Sequence, residues 1–180
     1  MSLPNLLTFL RILIIPVFLT AYIYGARSIA AGLFIGAAMT DLLDGFLARS
    51  SKQTTRLGAL LDPFADKLLL LSSFGLLAYR GVVPLWVLIA VISKDVVVVS
   101  GWMMRYFLTR RSSALPSFLG KAATFMQVVA ITAILTAHMA GFIQASCFPL
   151  LVFASGLTAL SGMEYLYRGL KELGQNTGSG

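Results

Sequence analysis

A chain of 180 residues with 58% hydrophobic and only 12% charged residues cannot clothe a water-soluble surface, which draws on roughly 25% charged residues. The same figures exclude intrinsic disorder, and the single Cys147 excludes an intrachain disulfide scaffold. The net charge of +7 does not indicate a nucleic-acid interface, because the basic residues gather at the ends of apolar segments and form no stripe with interleaved aromatics.

A bilayer core needs about 20 apolar residues per helix, and the sequence divides into six such pieces. Ser2-Leu3-Pro4-Asn5 reads as a short interfacial lead-in. The first span, about 6–25, carries Arg11 and Pro16 and lacks a small-residue cleavage pattern, so it is not read as a cleavable signal peptide. The second, about 29–49, follows the turn at Gly25 to Ser28 and contains Gly32 and Gly36, a small-xxx-small pair suited to close helix approach. Ser50 to Arg56 separates it from the third, about 57–79. Arg80-Gly81 precedes the fourth, about 82–107, and Thr109 to Pro116 precedes the fifth, about 118–138. The sixth, about 143–167, follows the His138 to Gln144 region, and His138 is read as interfacial and Cys147 as a packing residue. The expectation is an all-α, integral membrane protein of one domain over residues 1–173, with a flexible tail at 174–180.

Six spans place both termini on one side. Arg49, Lys52, Arg56, Arg105, Arg110, Arg111, Lys121, Arg168 and Lys171 fall on that side, against Arg27, Arg80 and His138 opposite. The excess of Lys and Arg puts the termini and the two basic loops in the cytoplasm.

Four of the seven acidic residues, Asp41, Asp44, Asp62 and Asp66, lie near the cytoplasmic ends of spans two and three. An ionisable group at membrane depth costs at least about 2.5–3.5 kcal/mol, so these acids must pair, protonate or hold cations. At helical spacing Asp41 and Asp44 share one stripe, while Gly58, Asp62 and Asp66 form an i, i+4, i+8 stripe on the next helix. The short connecting loop makes the two helices antiparallel neighbours, so the stripes are expected to face one cavity. Carboxylate oxygens suit hard divalent cations, and Mg²⁺ in particular is completed by substrate phosphates and water. The structural alternative is a set of salt bridges to Lys67, Lys94 or Arg49, but three bases for four acids on adjacent helices fit poorly. A proton or cation pathway is the rival function, and clustering near one face speaks against it.

Asp41, Asp44, Gly45, Ala48, Arg49, Gly58, Asp62 and Asp66 match the pattern D-x2-D-G-x2-A-R-x8-G-x3-D-x3-D at every fixed position. The chain thereby resembles the CDP-alcohol phosphotransferases. Pro4, Asn5, Thr8 and Arg11, and then Leu119, Gly120, Lys121, Thr124 and Gln127, resemble the phospholipid-synthesising branch. The resemblance implies six transmembrane helices, a dimer, and a site open to the cytoplasm. It also implies transfer of a phosphatidyl or similar group from a CDP-linked donor to an alcohol, with release of CMP.

Carried over by position, Asp41, Asp44 and Asp62 would ligate one or two Mg²⁺ or Mn²⁺ ions. Asp66 would be the general base, with possible metal contact. Asn5, Thr8, Asp41, Gly45, Ala48, Arg49 and Gly58 would line the donor, CDP-diacylglycerol. Arg105, Arg110, Arg111 and Lys121 are the candidates for an acceptor phosphate, and Lys94 and Asp95 are expected to pair locally or across the site. Within the family the chain resembles phosphatidylglycerophosphate synthases, whose acceptor is glycerol 3-phosphate. Lys94-Asp95 and Leu115-Pro116-Ser117-Phe118 lean instead toward eukaryotic-type cardiolipin synthases, whose acceptor is phosphatidylglycerol. No Gly-x-Ser-x-Gly elbow, Walker A loop or zinc-type Cys/His cluster offers another chemistry.

Overall fold

The structure is a computed structural model that describes residues 3–50, 56–109, 117–139 and 147–177, with side chains described at 8–41, 64–101, 117–139 and 147–169. It is all-helical. The helices are α1 (Leu3–Ile23), α2 (Arg27–Ser50), α3 (Arg56–Tyr79), α4 (Leu85–Thr109), α5 (Phe118–Met139) and α6 (Phe148–Thr177). Each corresponds to one of the six expected apolar pieces, and the differences lie at the ends. The lead-in at Leu3-Pro4-Asn5 is already helical, since proline is tolerated in a first turn whose N–H groups have no intrahelical acceptor. Gly25 and Gly81 adopt φ of 83° and 69°, and these left-handed residues end the turns after α1 and α3. Pro84 then defers the start of α4 to Leu85. Helix α6 continues to Thr177, so the segment expected to be a flexible tail from 174 is helical over its first four residues.

The chain forms two compact units, residues 1–83 with 128–147, and residues 84–127 with 148–180. In the first, α1 packs on α2 and α3. Phe18 and Phe34 meet at 5.9 Å between ring centroids, and Ala30, Ala31 and Ala37 on α2 and Ala65, Leu69 and Leu77 on α3 are buried with them. Alanines therefore bring these helices together. Gly32 and Gly36, read either as a close-approach pair or as ordinary glycines of a membrane helix, face open space: a Cβ at either would meet nothing within 4 Å. Pro16 sits inside α1 without ending it, and the Thr20 hydroxyl donates to the Pro16 carbonyl at 2.8 Å, the local polar adjustment that helices in apolar surroundings use.

At the Ile23 end of α1, Arg80 Nη2 donates to the Ile23 carbonyl at 2.8 Å, matching a cation to a helix C-terminus. His138, in the part of α5 that belongs to this unit, places Nδ1 3.1 Å from the Tyr22 hydroxyl, with the two rings stacked.

In the second unit α4 packs on α6. Gly162 on α6 leaves room for the α4 backbone, since a Cβ there would lie 3.9 Å from the Lys94 Cα. Buried Gln127 donates to Thr158 Oγ1 at 2.9 Å. Ser117 is the N-cap of α5, its hydroxyl accepting the Gly120 N–H at 2.9 Å, and it donates to Glu164 Oε2 at 2.7 Å. Arg168 also pairs with Glu164.

Among the described residues, two helices, Phe118–Met139 and the Phe148–Gly169 part of α6, are long and apolar enough to cross a bilayer. Large apolar side chains such as Phe9, Val17, Phe125 and Phe153 are more than half exposed. Such surface is costly in water and suited to lipid.

Phe18→Ala is expected to cost about 3–5 kcal/mol by cavity formation, whereas exposed Phe9→Ala should stay within about 0.5 kcal/mol. Thermal unfolding in detergent micelles compares them. Ser117→Ala should cost about 1 kcal/mol through the lost cap, measured in the same way.

Candidate active site

Arg11 lies eight residues beyond Leu3 on α1, about 12 Å along the helix axis. Its side chain is completely buried, a placement that demands compensation of the guanidinium charge. Two carboxylates supply it. Nη1 donates to Asp66 Oδ1 on α3, and Nη2 lies 3.4 Å from Asp41 Oδ1 on α2. The planar fork of arginine presents donors in two directions at once, which is what a bridge between carboxylates on two helices requires.

Of the acid stripes, Asp41 of α2 and Asp66 of α3 have described side chains, and both come within reach of one side chain of α1. The base seen between them, Arg11, comes from α1, a helix that was not weighed as a source of partners for the acids. A guanidinium enclosed by protein beside carboxylates that keep 40% and 32% exposure leaves the accessible side of the cluster lined by anionic oxygen. That donor chemistry fits a hard divalent cation. Among the described residues no three Asp, Glu, His or Cys side chains converge.

Asp44, Gly45, Ala48 and Arg49 fall in the last two turns of α2, and Gly58 and Asp62 in the first two of α3. Their side chains lie outside the described residues, as does that of Asn5. Thr8 is buried at 3% exposure, one turn before Arg11 on α1. Of the acceptor candidates, Lys121 is exposed near the start of α5, while Arg105, Arg110 and Arg111 lie outside the described side chains. Lys94, itself buried, pairs with Asp95 at 3.5 Å, one of the two pairings considered for them.

Arg11 is the site residue missed as a functional candidate. The available signal was its cost: one arginine well inside an apolar span must find an anionic partner, and the sequence offers few acids. What spacing alone does not say is that α1 lies against both α2 and α3.

An all-helical chain with exposed apolar side chains and aspartates of two helices gathered on one buried arginine has the character of a membrane protein with a polar site. The particular family follows from comparison. The family model for CDP-alcohol phosphatidyltransferase matches residues 1–159, and the chain belongs to that family. It is accordingly a membrane enzyme of phospholipid biosynthesis.

It is 35% identical over 179 residues to the probable phosphatidylglycerophosphate synthase of Mycobacterium tuberculosis (strain ATCC 25618 / H37Rv), covering 96% of this chain and 84% of the relative. It is likewise 35% identical over 181 residues to the CDP-diacylglycerol--glycerol-3-phosphate 3-phosphatidyltransferase of Yersinia enterocolitica, covering 96% and 97%. With the like-named protein of Yersinia pestis (strain Pestoides F) the identity is 34% over 176 residues.

The cluster's carboxylates are on α2 and α3, whereas Asp95 is on α4, where it pairs with Lys94. Asp41→Asn should lower CMP release by at least about 100-fold, whereas Asp95→Asn, altered at a pair on α4, should stay within about threefold, the gap being about 2 kcal/mol of barrier or more. Equal losses in a CMP-release assay would remove the distinction.

Proposed function

We propose that this chain transfers the phosphatidyl group of CDP-diacylglycerol to glycerol 3-phosphate, releasing CMP and forming phosphatidylglycerophosphate. The observation that carries the reading is the gathering of Asp41 of α2 and Asp66 of α3 on the buried Arg11, within a chain whose relatives bear that activity in their names. The acceptor hydroxyl oxygen attacks the lipid-bearing phosphorus of the diphosphate, and the bond from that phosphorus to the CMP oxygen breaks. Asp66 takes the hydroxyl proton, and a carboxylate base positioned in this way contributes about 10²–10⁴-fold.

Asp41, Asp44, Asp62 and Asp66 would hold one or two Mg²⁺ or Mn²⁺ ions, which neutralise charge developing on the phosphoryl oxygens and the departing CMP. Gly45, Ala48 and Gly58 would let the cytidine nucleotide approach the backbone, with Arg49 at its phosphates and Asn5 and Thr8 toward the same donor. Burial of Thr8 limits it to a supporting role beneath that site. Lys121, Arg105, Arg110 and Arg111 would receive the acceptor phosphate.

In the membrane the six helices would all span, with both termini and the site on the cytoplasmic side, as the distribution of Lys and Arg supports. The working form would be a homodimer surrounded by lipid.

A cardiolipin synthase, with phosphatidylglycerol as acceptor, is the second reading, and the relatives named above do not favour it. Family membership also disfavours a cation or proton carrier.

Purified protein given CDP-diacylglycerol, Mg²⁺ and glycerol 3-phosphate should release CMP, and phosphatidylglycerol in place of glycerol 3-phosphate should not support release. The opposite preference would overturn the acceptor assignment, and no release with any alcohol would overturn the reading. Asp66→Asn should abolish turnover with donor binding retained, whereas Asp62→Asn should weaken metal-dependent donor binding itself. Lys121→Gln should raise KM for glycerol 3-phosphate by about tenfold, a loss of about 1.4 kcal/mol, with little change in KM for the donor.

A further inference from the structure

Arg11 is fully buried and joins a carboxylate of α2 to a carboxylate of α3. Its charge is of the same sign as that of a divalent ion, and it addresses the same oxygens. We infer that Arg11 is a built-in counter-ion of the aspartate cluster, holding the two acid-bearing helices together before metal binds and competing with the metal for Asp41 and Asp66. The inference rests on the metal reading of the site given under Proposed function, and it assigns Arg11 a positioning role with no contact to substrate.

Two physical arguments carry it. Like-signed acids on adjoining helices repel one another, and the repulsion is strong where apolar surroundings keep the effective dielectric low. A metal-free site needs a cation if its helices are to stay in register, and the arginine fork is suited to two anchors where lysine supplies a single point charge. The exposure pattern is the second argument. The guanidinium approaches Asp41 and Asp66 from the enclosed side, while both carboxylates keep accessible surface. A divalent ion arriving on the accessible side would meet oxygens already oriented but partly neutralised. Arg11 would thus trade affinity for preorganisation.

The full chain in detergent micelles, with Mn²⁺ as the probe, tests this directly. Arg11→Gln removes the charge and should bind Mn²⁺ about tenfold more tightly than the wild type, equivalent to about 1.4 kcal/mol, measured by electron paramagnetic resonance of free Mn²⁺. Its melting temperature in EDTA should fall, and saturating Mg²⁺ should recover most of the loss.

Arg11→Lys keeps the charge but spans one carboxylate at a time. It should bind Mn²⁺ within about threefold of the wild type, and the interval between its melting temperatures with Mg²⁺ and with EDTA should widen. This variant decides the matter by that interval even if Arg11→Gln does not survive purification.

Unchanged or weaker Mn²⁺ binding by Arg11→Gln, or an unwidened interval in Arg11→Lys, overturns the inference and leaves Arg11 a packing residue. A wild type that neither binds Mn²⁺ nor changes its melting temperature with Mg²⁺ overturns the metal reading itself, and this inference with it.

Discussion

A guanidinium sealed inside a helical bundle and shared between carboxylates on two other helices is the constraint on which the first unit is arranged. Charge inside apolar surroundings is tolerated only when paired, so Arg11 fixes which faces of α1, α2 and α3 meet. Apolar packing then fills in around that requirement. Phe18 against Phe34 and the buried alanines of α2 supply close contact along the same helix pair, while Arg80 ties the Ile23 end of α1. Arg11 within α1 and Arg80 at its Ile23 end supply the polar anchors, and the apolar groups between them supply the contact area.

Under the proposed function the same arrangement would serve catalysis. Preorganised charge is worth most where solvent cannot reorganise around it, and a carboxylate already aimed by a hydrogen bond from a buried donor has little orientational freedom left to lose. Asp66 is held in this way by Arg11. The cost is electrostatic, since every positive charge close to the acids lowers their attraction for a metal ion. Keeping the arginine on the enclosed side and the carboxylates partly accessible reconciles the two demands.

Much of this was legible in the sequence. Apolar runs separated by Gly25, Gly81 and charged loops gave six helices, with α3 ending at Tyr79 as expected and α5 at Met139, one residue beyond expectation. Asp41 and Asp66 were legible as ionisable residues within helices, because helical periodicity is local. The pairing of Lys94 with Asp95 follows from adjacency. The roles given to Asn5, Arg49, Gly58 and the acceptor-side arginines come from motif position and belong to the proposal.

Two points were not legible, for one physical reason. Glycine permits close approach without creating contact, and Ala30, Ala31 and Ala37, rather than Gly32 and Gly36, are the buried small residues of α2. Arg11 is separated from Asp66 by 55 positions and was not among the bases weighed for the acids. Local pattern determined by itself where helices form, which residues are ionisable within them, and which family motif they carry. The tertiary structure decided which helix brings its cation to the aspartates, because desolvation must be answered by whatever charge the packing places within reach, and distance along the chain says nothing of that.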